Sequence, residues 1–181
     1  ANKCLEGVPG VGFALVERSA LEVAKGNASS LSLDLFAQQE YLAVTGQWRF
    51  TPPTHVIAAF DAALDQFDAE GGVAGRYARY LENYRTLAAG MRQLGFERLL
   101  DDAHQAPIIV TFHAPKDTNY DFEEFYDRLK DAGFAIYPGK LTAADSFRIG
   151  CIGAIGTAEM EGVLSAVADA VDAMKINNRG R

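Results

Sequence analysis

Ala1-Asn2-Lys3-Cys4-Leu5-Glu6-Gly7-Val8-Pro9-Gly10-Val11-Gly12 is the stretch on which the reading of the fold turns. One lysine stands among small residues, and Gly7, Pro9, Gly10 and Gly12 impose turns on the backbone behind it. Phe13-Ala14-Leu15-Val16 follows, apolar and β-prone, which predicts a buried strand. Lys3 is thereby expected just ahead of a tight loop at the start of a strand. A protonated lysine is a poor nucleophile; a confined, partly desolvated pocket lowers its pKa and lets it attack a carbonyl. Glycines around it would let a flat ring approach the backbone closely. Taken alone, the spacing favours an ordinary solvated lysine near a chain end.

Working outward, the chain opens without an initiator methionine and passes directly into this glycine-rich segment, which predicts that it is part of a longer polypeptide. A short helix is expected from Ser19 to Lys25, with Ser19 as N-cap, Glu22 in the capping-box position and Gly26 beyond its end. An amphipathic piece around Leu33 to Leu42 interrupts a polar stretch. Trp48-Arg49-Phe50-Thr51-Pro52-Pro53 is expected to be a fixed, extended loop, because each proline biases its predecessor away from helical backbone. Thr54 is the expected cap of a helix carrying Val56, Ile57, Phe60, Leu64 and Phe67 on one stripe, broken at Glu70-Gly71-Gly72. A longer helix over 73–94 follows, with Tyr77, Tyr80, Leu81, Tyr84, Leu87, Ala88 and Met91 on its apolar face and Gly95 as its stop.

Beyond Gly95 the pattern changes. Short strands are predicted at 96–100, 108–113, 134–137 and 147–152, with helices at 122–132 and 158–174. That combination is an α+β unit, its strands largely antiparallel and its helices on one face. The last residues, 177–181, read as a frayed tail.

Composition bounds the function. The 181 residues are 49% hydrophobic and carry a formal charge of −7, enough apolar content for a substantial core and the wrong sign for non-specific binding to nucleic acid or anionic membrane. No apolar run approaches the roughly 20 residues that span a bilayer, and a cytoplasmic protein is the expectation. Cys4 and Cys151 have neither CxxC spacing nor the density of a disulfide framework, so free thiols are expected. His55, His104 and His113 lack metal-ligand spacing, and no zinc site is assigned.

The segment from Ala1 to Gly10 resembles the Schiff-base lysine segment of the class V aminotransferases of pyridoxal-phosphate fold type I. Its wording is closest to the branch that uses 2-aminoethylphosphonate and pyruvate. Separated stretches carry the same resemblance in order: Glu70-Gly71-Gly72-Val73, Gln105-Ala106-Pro107-Ile108-Ile109, Ile136-Tyr137-Pro138-Gly139-Lys140 and Ser146-Phe147-Arg148-Ile149-Gly150-Cys151-Ile152-Gly153. The resemblance runs from Ala1 to about Lys175. It implies an α/β fold: the C-terminal half of a fold type I transferase, with residues 1–70 ending the large cofactor-binding α/β domain, 71–95 a connecting helix and 96–176 the small C-terminal α+β domain. It also implies that Lys3 holds pyridoxal 5'-phosphate and moves the proton at the substrate carbon.

Arg148 interrupts an apolar strand, and its planar guanidinium suits bidentate recognition of carboxylate or phosphonate oxygens. The resemblance places the substrate anion there. Thr51, on a rigid Thr-Pro-Pro loop, is placed by the resemblance against the cofactor phosphate of a neighbouring subunit, with Trp48 and Arg49 beside it, which implies a homodimer. Lys140 could assist an anion, although an exposed loop lysine is the plainer reading. The aromatic that stacks on the pyridine ring, the aspartate that pairs with its nitrogen and the phosphate-binding turn would all come from an upstream half, so the 181 residues alone are expected to be inactive. Two other readings stand beside this one: a sibling enzyme using alanine or serine with glyoxylate, and a non-catalytic domain. A cysteine desulfurase fits less well, because Cys151 follows Arg148 in the same strand.

Overall fold

The computed structural model describes residues 1–139 and 144–177, so Lys140 and the end of the expected tail lie outside the described residues. It divides into two compact units, residues 1–66 and 67–181.

The first unit begins with a single 3-10 turn, Lys3–Leu5, followed by helices α1 (Arg18–Val23) and α2 (Leu35–Thr45) and most of α3 (Thr54–Ala69). The strand expected at Phe13–Val16 does not form: this segment has no regular structure and pairs with no strand, and Leu15 is 94% exposed. A strand needs a neighbour to satisfy its backbone N–H and C=O groups, and this unit contains no other strand. Phe13 instead stacks on Phe60 of α3, ring centroids 5.8 Å apart. The start of α1 also differs from expectation. Ser19 is inside the helix, and its hydroxyl donates to Glu17 Oε1 at 2.8 Å rather than capping a backbone amide. Asp34 caps α2 by accepting from Ala37 N–H at 2.9 Å. At α3 the cap falls on Pro53, whose carbonyl accepts from Ile57 N–H, one residue before the expected Thr54.

Ala63 is the one buried apolar side chain of this unit, whereas Val8, Phe13, Leu31, Leu33, Trp48 and Phe50 are all exposed. A monomer rarely leaves so much apolar surface in water unless it faces another body.

The second unit holds the core. α4 (Gly72–Gln93) follows a break at Gly71, whose φ of 100° is open to glycine and nearly closed to other residues. Beyond it come β1 (Ile109–His113), α5 (Phe122–Asp131), β2 (Tyr137–Pro138), β3 (Ser146–Gly150) and α6 (Thr157–Ala173). The sheet is antiparallel, as expected, and its strand order is β1-β3-β2. Val110, Phe112, Phe147 and Ile149 alternate onto its inner face, against Leu87 and Met91 of α4, Phe125 and Leu129 of α5, and Val163, Val167 and Val171 of α6. Phe147 sits at the centre, 5.3 Å from Phe125 and 5.6 Å from both Phe96 and Phe112 by ring centroids. Burying one such ring is worth about 2 to 3 kcal/mol. Gly90 lets α4 come against Leu164 of α6, since a Cβ there would collide with the leucine.

Two predicted strands are smaller than expected. The segment 96–100 meets β1 through a single bridge, Arg98 to Phe112, and then turns so that Arg98 and Tyr84 converge on Asp102. Phe134 is excluded from β2 because its N–H closes the end of α5 on Leu129 C=O at 2.8 Å. Tyr77, expected on the apolar stripe of α4, is 54% exposed. Among the described residues, no helix is long and apolar enough to cross a membrane, and no group of histidine, cysteine and acidic residues could hold a metal ion.

Candidate active site

Lys3 lies in the 3-10 turn with a left-handed backbone, φ 62°, a conformation that costs a non-glycine residue free energy. The turn is held by Glu6 N–H to Lys3 C=O and by Gly7 N–H to Ala1 C=O, both at 3.0 Å. Gly7 is buried, and a Cβ on it would press on Ala1 O at 2.8 Å and the Phe60 ring at 3.0 Å. The turn-rich character of the segment therefore does position Lys3, by packing it on α3 rather than at the start of a strand. Its side chain is exposed, and the amine makes no ion pair or hydrogen bond among the described residues.

Trp48, Arg49 and Thr51 share the segment 46–52, which lines a shallow cleft of the first unit. Trp48 is 57% exposed, so it is not the packed turn residue that an ordinary loop would contain. Arg49 Nη1 donates to Leu31 C=O at 3.4 Å and its guanidinium lies 5.3 Å from the Phe50 ring centre. Thr51 is exposed in the irregular stretch before α3, its hydroxyl without a partner among the described residues.

Arg148 belongs to the second unit, on β3. Phe147 and Ile149 point into the core, so Arg148 is on the opposite face of the sheet, and it is partly exposed rather than desolvated. Its Nε donates to Pro138 C=O at 3.1 Å, and the guanidinium lies 5.8 Å from the centre of the Tyr137 ring. Nη1 and Nη2 donate to no described residue. The base of the fork is thus fixed and its tip left open to an anion.

The sequence reading passed over the side chains that fix the end of this strand. Asn83, fully buried on α4, donates through Nδ2 to Cys151 C=O and Ile155 C=O, both at 3.1 Å. Arg79 donates to Gly153 C=O and Ile155 C=O, and is itself gripped by Glu70, which also binds Arg76 at 2.5 Å. Arg76, Arg79 and Asn83 recur at helical spacing beside the apolar stripe of α4, the signal that could have revealed them. Hydrogen bonding from Arg79, opposed by burial and reinforced by Arg76, lowers the Glu70 pKa from 4.5 to about 2. Its contribution to stability is therefore complete above about pH 4.5 and is lost as the pH falls toward 2. Glu70→Gln should destabilise the second unit by about 2 kcal/mol at neutral pH and flatten its acid limb between those values, as measured by urea unfolding across pH.

Among the described residues neither Cys4 nor Cys151 is in a disulfide. Burial pushes Cys151 up to about 12, which leaves it a protonated core residue and not a nucleophile at neutral pH.

No family model matches the chain. Among solved structures it is similar to pyridoxamine-pyruvate aminotransferase from Mesorhizobium loti, with TM-score 0.76 and 22% identity over 88% of this chain and 42% of that one. It is similar also to alanine–glyoxylate aminotransferase from Nostoc sp., with TM-score 0.74 and 17% identity over 86% of this chain and 42% of that one. The fold is that of the C-terminal part of a pyridoxal-phosphate-dependent aminotransferase of fold type I. In sequence the chain is similar to the 2-aminoethylphosphonate–pyruvate transaminases. It is 58% identical over 97% of its length to that of Burkholderia ambifaria, covering 47% of the relative. To that of Burkholderia mallei it is 57% identical over 99% of its length, covering 48%. The chain thus spans about half the length of the curated relatives it matches.

Proposed function

We propose that the intact protein transfers the amino group of 2-aminoethylphosphonate to pyruvate, giving phosphonoacetaldehyde and alanine. The observation that carries this reading is the 58% identity to a transaminase of that name over 97% of the chain. Pyridoxal 5'-phosphate, when bound, supplies the electron sink and carries the amino group between the two half-reactions.

The residues present fit such a cofactor. Lys3 offers a primary amine committed to no ion pair among the described residues, which is what covalent capture of an aldehyde requires. With the cofactor bound, the same amine would move the proton between the substrate carbon and the cofactor. Thr51 offers an unpartnered hydroxyl on a loop stiffened by Pro52 and Pro53, suited to a phosphate oxygen; Trp48 and Arg49 flank it. We assign this contact to the cofactor of a second copy, which makes the active form a homodimer. Arg148 takes the carboxylate of pyruvate in one half-reaction and the phosphonate in the other. A cytoplasmic enzyme accords with these small, soluble substrates. Residues 1–70 are read as the end of the large domain, 71–95 as the connector and 96–176 as the small domain. The exposed apolar side chains of the first unit support the further reading that the 181 residues are inactive alone.

The test compares amino donors. With pyruvate as acceptor, the intact protein is expected to form alanine from 2-aminoethylphosphonate far faster than from serine, with phosphonoacetaldehyde as co-product. Preference for alanine or serine with glyoxylate would replace this assignment by the sibling one.

A further inference from the structure

Three residues stand in one row across the sheet. In register, Thr111 of β1 is opposite Arg148 of β3, and Tyr137 of β2 is opposite Arg148 on its other side. Their neighbours Val110, Phe112, Ile136, Phe147 and Ile149 are buried in the core, so all three project from the face that no helix of this unit covers. Tyr137 and Pro138 hold the guanidinium from one side, as described above. Thr111 holds nothing: its hydroxyl has no partner among the described residues, although its backbone carbonyl accepts from Leu99 N–H at 2.9 Å. Directly opposed residues of an antiparallel pair have Cβ atoms about 5 Å apart. Thr111 therefore flanks Arg148 on the side of β3 opposite to Tyr137 and Pro138.

The chemistry of the two anions differs at this point. A carboxylate has two oxygens in a plane, and a guanidinium fork engages both. A phosphonate is tetrahedral and has three terminal oxygens; the fork takes two and leaves the third aimed away from its plane. A neutral hydroxyl beside the fork offers a donor to that third oxygen, whereas a carboxylate has both its oxygens already on the fork. A second cation there would favour both anions. The β-branched side chain restricts χ1, so the hydroxyl loses little freedom in making the bond.

We propose that Thr111 is a specificity-determining residue that donates a hydrogen bond to the third phosphonate oxygen of a substrate held by Arg148. The proposal rests on the reading of Arg148 as the anion site. Thr111 thereby separates phosphonate from carboxylate ligands by geometry rather than by charge, on the same arginine that accepts both.

Ethylphosphonate and propionate, unreactive probes that differ in the anion alone, test this by calorimetric titration of the cofactor-loaded, full-length protein. Thr111→Val, nearly isosteric and suited to a strand, should weaken ethylphosphonate about tenfold, the worth of one hydrogen bond to a charged group, and leave propionate within about twofold. Thr111→Ser, which restores the hydroxyl, should bind ethylphosphonate as the parent does. Equal losses for both probes, or no loss for either, would overturn the role of Thr111. Arg148→Ala separates that failure from a failure of the underlying reading: if it binds both probes as the parent does, the anion site is elsewhere and both inferences fall.

Discussion

Replacing Lys3 by alanine in the intact enzyme is expected to lower kcat by about four orders of magnitude, the upper range for loss of a positioned proton-transfer group that also serves as the covalent anchor. The fold should not respond, because the amine makes no hydrogen bond or ion pair among the described residues and alanine keeps the backbone bonds of the 3-10 turn. Circular dichroism of the variant should therefore superimpose on that of the parent. Borohydride treatment of the cofactor-loaded protein, followed by peptide mapping, supplies a readout independent of turnover. The peptide containing Lys3 should gain the mass of a pyridoxyl group in the parent and stay unmodified in the variant. Activity within about tenfold of the parent would move the covalent role to another lysine, since no group left in the turn could replace it.

At Arg148, substitution by glutamine should cut kcat/KM for both 2-aminoethylphosphonate and pyruvate by about a hundredfold, close to 3 kcal/mol, the order expected for losing a charge-assisted fork to an anion. Arg148→Lys keeps the charge and loses the fork, and should recover about a tenth of the parent value. The sheet itself should tolerate either change, because Arg148 is on the face away from the core and, among the described residues, its one side-chain hydrogen bond goes to Pro138 C=O. A loss confined to one of the two substrates would show that they bind through different cations.

Much of the second unit could be read directly from the order of its residues. The period of α4 and α6, the alternation through 109–113 and 146–150 and the glycine after α4 each encode local structure, and local geometry is what these patterns specify. Asp121 caps α5 through Glu124 N–H, the kind of short-range bond that sequence spacing reveals. The first unit was less legible. Phe13-Ala14-Leu15-Val16 has the composition of a strand, yet β structure is a pairing of distant segments and none is offered within this unit. Side-chain propensity cannot report a missing neighbour.

The candidate site divides in the same way. The chemistry of Lys3, Thr51 and Arg148 as residue types, and the presence of the motifs around them, was set by the sequence itself. Tertiary structure decided which face of the sheet Arg148 occupies, that Pro138 and Tyr137 hold the base of its guanidinium, and that Thr111 stands across from it, thirty-seven positions earlier in the chain (148 − 111). It also decided that Asn83 and Arg79 reach the carbonyls beyond β3, and that Glu70 stays ionised far below the usual carboxylate range. Periodicity along a chain fixes the direction of each side chain relative to its own helix or strand. Register between strands and the docking of helices upon them fix what that side chain meets, because those depend on the simultaneous packing of segments that the chain order keeps apart.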